Sequence, residues 1–156
     1  FFKKKDWRKN PDFPKFVGTI QFMLNLQVQL TPMGNKLKIP GASPLGTLPD
    51  DMFVYGYLYG YINFCFHNSK WHNLDGDPWM AGMIMIFKNF YGSKGMKVLA
   101  NSSKLMDTNK EFMAAVKFGG KQAEENLVDR KNPVGLCAYL TDDKEILAKS
   151  GYKYKK

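Results

Sequence analysis

The side chains richest in chemistry fall within thirteen consecutive positions, CFHNSKWHNLDGD, residues 65–77. Both histidines of the protein, His67 and His72, lie there with Cys65, Asp75 and Asp77. Imidazole, thiolate and carboxylate together suit zinc or a related transition metal, which makes these five a candidate ligand set. Their spacing, C-x-H-x4-H-x2-D-x-D, matches no established coordination pattern. On a helix, Cys65 and His67 would point about 200° apart. The sequence therefore predicts no metal on Cys65, His67 and His72. It predicts a polar loop between two buried helices, with Asp-Gly-Asp-Pro turning the chain and capping the second.

A second constellation is Tyr91-Gly92-Ser93-Lys94-Gly95-Met96-Lys97. A G-x-x-G loop between helices is a device by which some modules clamp a nucleic-acid backbone. Here Gly92 and Gly95 would admit phosphates, while Lys88, Lys94, Lys97 and Lys104 would supply charge. No Asp or Glu occurs between Asp77 and Asp107. The plainer reading is a helix-ending glycine followed by a tight turn. Gly119-Gly120-Lys121 before a helix would offer amides to an anion, but Glu124 and Glu125 oppose one. Asp50-Asp51 and Asp142-Asp143 fall where helix starts are expected, and carboxylates there serve the helix dipole. No nucleophile signature surrounds Cys65 or Cys137, which read as buried free thiols. The residue pattern reads against an enzyme and implies no cofactor.

Charge points to a class of partner. Twenty-three Lys and Arg stand against fourteen Asp and Glu, a formal net charge of +9. All but two of the cations are lysines, the exceptions being Arg8 and Arg130. Lysine is a mobile point charge, whereas arginine gives planar, bidentate recognition. The balance favours an acidic protein surface or nucleic acid, with any nucleic-acid contact made to the backbone. Tyr152, Lys153, Tyr154 and Lys155 alternate ring and charge, suited to stacking on bases or lying on an acidic surface. Residues 1–15 and 152–156 read as basic arms, and the start at Phe1-Phe2 reads as a processed product or a fragment. No stretch is apolar for long enough to suggest a membrane span.

These residues need elements to position them. From Ile20 to Leu30 the apolar residues fall on even positions, Met23 alone excepted, with Gln21, Asn25, Gln27 and Gln29 between them. That alternation predicts a strand with Phe22, Leu24, Leu26 and Val28 on the core. Pro-Met-Gly-Asn at 32–35 supplies a turn, and Lys36 to Ile39 alternates again, which completes an antiparallel hairpin over residues 19–39. Thr47 reads as the cap of a buried helix through MFVYGYLYGYINFCF, where Gly56 and Gly60 would let a partner helix pack closely. Further helices are expected from Asp77-Pro78 to about Phe90, over 97–103, from an Asp107 cap to Gly119-Gly120, over Gln122–Val128, and after Thr141. Leu136 to Leu140 reads as a strand. The expectation is a single α+β domain over residues 16–151, with the hairpin packed against several helices. Its expected role is a non-catalytic binding or structural subunit, held in a larger assembly through its basic arms. A nucleic-acid module and a small metal-dependent enzyme are the alternatives.

Overall fold

The structure, a computed structural model, describes residues 6–29 and 48–152. Among the described residues seven α-helices follow in order: α1 Asp12–Gln29, α2 Met52–His67, α3 Pro78–Tyr91, α4 Gly95–Leu105, α5 Lys110–Asp129, α6 Gly135–Leu140 and α7 Lys144–Lys149. Single 3-10 turns precede α1, at Trp7–Lys9, and α4, at Gly92–Lys94. No strand forms among the described residues, so the α+β expectation is overturned.

The first correction has a clear cause. Ile20, Leu24 and Val28 are spaced by four, which is two strand periods and also close to one helical turn. What separates the readings lies upstream, where Phe13 and Val17 continue the same ridge and are buried with it. A strand would have buried Phe22 and Leu26 beside Leu24 and Val28. In the helix they point away, 59% and 36% exposed, while Leu24 and Val28 are fully enclosed. Residues 30–39, the rest of the expected hairpin, lie outside the described residues, as does the expected Thr47 cap. The second expected strand, Leu136 to Leu140, is helix α6.

Helix α2 forms the centre. Asp51 caps it, its carboxylate accepting from the Phe53 and Val54 amides at 2.8 and 3.2 Å. Every residue from Phe53 through Ile62 is buried, so the helix is apolar all round rather than amphipathic. Its main neighbour is α5, and the two backbones nearly touch. A Cβ on Gly60 would overlap the Val116 carbonyl oxygen, and one on Gly119 the Tyr57 carbonyl oxygen. Gly119-Gly120, expected to end a helix, is thus the point of closest approach inside α5, which runs unbroken to Asp129. Asn109, not Asp107, caps α5, accepting from the Phe112 amide at 2.9 Å.

The N-terminal segment is part of this body. Trp7 is buried, packs on Phe13 at 4.7 Å between ring centroids, and donates its Nε1 to the Asp75 carbonyl at 2.8 Å. At the other end Tyr152 is buried against Phe53 and Phe118. Among the described residues no helix is long and apolar enough to cross a membrane.

Candidate functional site

The loop after α2 brings both histidines to one cleft of about 370 Å³, walled by Trp71 and Trp79 and rimmed by Asn63 and Asp77. The chain turns tightly there. Asn68 donates to the Phe64 carbonyl at 2.9 Å, and the Ser69 hydroxyl donates to the Phe66 carbonyl at 2.7 Å. The His67 and His72 rings end 4.7 Å apart between centroids. His67 Nδ1 lies 2.9 Å from the Asn63 carbonyl, which can only accept, so Nδ1 carries a proton, and in the neutral ring the lone pair is on Nε2.

The other expected ligands are elsewhere. Cys65 is buried on another face of α2, and burial pushes its thiol up to about 12. Asp75 is occupied through its carbonyl by Trp7 and does not line the cleft. Asp77 does line it, while capping α3 through the Met80 amide at 3.0 Å. Among the described residues no three His, Cys, Asp or Glu side chains group closely enough to hold a metal ion.

Gly92 and Gly95 are accounted for by chain geometry. Gly92 ends α3 with φ at 60°, its amide donating to the Lys88 carbonyl. Gly95 is buried against the Lys88 backbone, where a Cβ would come within 2.6 Å of the amide nitrogen. Lys88, Lys94, Lys97 and Lys104 are all exposed. On α4, Lys97 and Lys104 fall within about 20° of arc, because the helix advances about 100° per residue, and Lys94 lies in the turn just before it. The structure thus leaves the expected lysines exposed but gives the glycines packing roles. Tyr152, expected on a basic arm, is a core ring. Lys153, Tyr154 and Lys155 lie outside the described residues.

A second cleft was not foreseen. A cleft of about 660 Å³ runs between α5 and the segment Gly151-Tyr152, lined by Lys110, Lys117 and Lys121, with Ala114, Phe118 and Tyr152 as its apolar floor. Positions 110, 114, 117 and 121 follow the three- and four-residue steps of one helix face. Lys110 and Lys117 make no ion pair among the described residues, and Lys121 reaches Glu125 only at 3.8 Å. Lys121 also lies 3.5 Å from the Ser150 carbonyl, which ties the cleft's two walls together. Glu111 is the one carboxylate in the lining. The stripe was legible in the spacing, but reading Gly119-Gly120 as a break separated Lys121 from Lys110 and Lys117.

The distribution of charge bears on this cleft. The described residues hold fifteen Lys and Arg against fourteen Asp and Glu, close to neutral. The other eight lysines lie in residues 1–5, 30–47 and 153–156, and the last of these segments begins directly after Tyr152. In comparisons with known proteins, no family model, no curated protein and no solved structure matches this chain.

Proposed function

We propose that the protein is a non-catalytic binding subunit that holds an acidic, partly apolar segment of a partner protein in the cleft between α5 and Tyr152. The carrying observation is the convergence of Lys110, Lys117 and Lys121 over an aromatic floor. Lysines in water attract a carboxylate weakly, but a concave wall that removes solvent strengthens each contact. The apolar floor adds burial that a purely electrostatic surface lacks. Lys153, Lys155 and Lys156 follow the wall residue Tyr152 in the sequence and add to the net positive charge, which raises the rate of encounter with an acidic partner.

The same features favour protein over single-stranded nucleic acid. Base stacking needs an exposed ring face, and Tyr152 is only 9% exposed, its ring packed on Phe53 and Phe118. The thiols fit a non-catalytic role. Burial raises both Cys65 and Cys137 above the ordinary thiol value, so neither presents a thiolate near neutral pH.

The test is a titration of a fluorescein-labelled peptide of alternating Glu and Leu, read by anisotropy at low and moderate salt. Binding that weakens with salt is expected. Changing Lys110, Lys117 and Lys121 together to Gln removes about 1–3 kcal/mol, roughly a five- to hundred-fold loss of affinity. All three side chains are exposed, so the variant keeps its fold, which circular dichroism checks. No peptide binding at low salt, or an unchanged triple variant, contradicts the proposal. Tighter binding of a single-stranded oligonucleotide at the same lysines replaces the protein partner by nucleic acid.

A further inference from the structure

We infer that His67 and His72 form a two-imidazole chelate for a borderline transition-metal dication of the zinc, nickel and copper(II) class. The cleft they occupy shares no lining residue with the lysine cleft, although His67 also borders a groove with Lys117 and Lys121; the inference does not rest on the proposed docking role.

Three observations carry it. The first is distance. With metal–nitrogen bonds of about 2.0–2.1 Å, the ion sits about 3 Å from each ring centre, so two ligating rings have centroids about 4.5–5.2 Å apart. The observed separation is 4.7 Å, with the ring planes tilted by 44°. The second is the partner of the opposite nitrogen. Ligating histidines ordinarily donate their other ring N–H to a carbonyl or carboxylate, which fixes the tautomer and the ring orientation. His67 has this arrangement, Nδ1 to the Asn63 carbonyl at 2.9 Å. The third is the setting. The cleft is open to solvent, so water completes the coordination sphere, and Asp77 contributes negative charge to its lining. Lys70, the neighbour of Trp71 in the chain, is paired with Asp12 at 2.9 Å, which limits its repulsion of an incoming ion.

The donor set selects the metal class. Imidazole nitrogens suit zinc, nickel and copper(II), whereas soft copper(I) wants thiolate or thioether. Cys65 is buried and does not line the cleft, so no thiolate reaches the ion. Binding exchanges two waters of the aquo ion for the two imidazole nitrogens. The ligating nitrogens must be unprotonated, so acidification releases the ion.

The experiment uses the full chain stripped with a chelator. Nickel and zinc are titrated calorimetrically, and copper(II) is followed by electron paramagnetic resonance. One ion per chain is expected, with nitrogen hyperfine structure from two imidazoles. Copper and nickel should also quench tryptophan emission, because Trp71 and Trp79 form the cleft walls. His67→Ala and His72→Ala should each weaken binding about ten-fold or more, since losing one tethered ligand forfeits the intramolecular advantage of the pair. Both side chains are exposed, so the variants retain the fold. Absence of stoichiometric binding by the unmodified chain overturns the inference. So does unchanged affinity in the two variants, or a copper spectrum without two equivalent nitrogens.

Discussion

Gly60→Leu is expected to leave the chain unable to fold. The Cβ alone would overlap the Val116 carbonyl oxygen and approach the Val116 carbonyl carbon and Cα to 2.7 and 2.8 Å. These are backbone atoms of α5, not the tips of flexible side chains, so relief requires the two helices to move apart. Separation would open the face where Phe53, Tyr57, Phe112 and Phe118 are buried. Overpacking a sound core costs about 1–3 kcal/mol. Prising apart its central helix pair adds the loss of dispersion along the whole seam. The sum should exceed about 5 kcal/mol, comparable to the entire stability of a domain of this size. Gly60→Ala should fall between Gly60→Leu and the parent. Gly18→Ala is the control, because nothing lies within 4 Å of its Cβ position on the exposed side of α1. That change should stabilise by about 0.5–1 kcal/mol, as a helix-interior glycine costs conformational entropy. Urea unfolding followed by circular dichroism reads all three. A Gly60→Leu variant within about 1 kcal/mol of the parent would show that α2 and α5 do not meet as described.

The glycine seam was half legible in the sequence. Gly56 and Gly60, four apart in an apolar run, announce a helix that packs closely. Their partner was hidden, because two adjacent glycines ordinarily end a helix, and only the opposing Tyr57 backbone explains why Gly119 sits inside one. Elements with strong local punctuation were readable. Asp77-Pro78 opens α3 and Gly92 closes it, as the capping chemistry requires. Elements whose local pattern fits two periods were not. For α1, apolar steps of four satisfied both a strand and a helix, and the core contacts of Phe13 and Val17 decided it. The same holds for the sites. His67 and His72 stand out by residue type, but their separation depends on a turn held by Asn68 and Ser69. The lysine cleft needs both an unbroken α5 and a buried Tyr152, and local sequence argues against each.

Gln122→Leu is the other substitution expected to cost several kcal/mol, and it acts without a clash. Helix α6 has no side chain of its own to cap its N-terminus. Its leading amides are satisfied instead by two glutamines from distant helices, Gln122 on α5 and Gln27 on α1. Gln122 Oε1 accepts from the Val134 and Gly135 amides at 3.1 and 2.7 Å and from the Tyr57 hydroxyl at 2.9 Å. Gln27 Oε1 accepts from the Leu136 amide at 2.9 Å, and its Nε2 donates to the Tyr57 hydroxyl at 3.1 Å. Tyr57, Gln27 and Gln122 are all buried, and burial holds the Tyr57 hydroxyl well above its usual value, so it stays protonated as a donor. A leucine of similar volume would fill the space and leave the Val134 and Gly135 amides without their acceptor, while the Tyr57 hydroxyl keeps only Gln27 Oε1, at 3.3 Å. Each stranded buried group costs about 1–3 kcal/mol, so the total should reach about 3–5 kcal/mol. Tyr57→Phe should cost about 1–2 kcal/mol, because Gln122 keeps both amide donors and only Gln27 Nε2 loses an acceptor. Hydrogen exchange adds a local readout. Protection of the Gly135 and Leu136 amides should fall further than that of α2 in Gln122→Leu, since α6 loses its anchor before the core opens. If the two substitutions cost the same, or if Gln122→Leu is neutral, α6 is held by something other than these two glutamines.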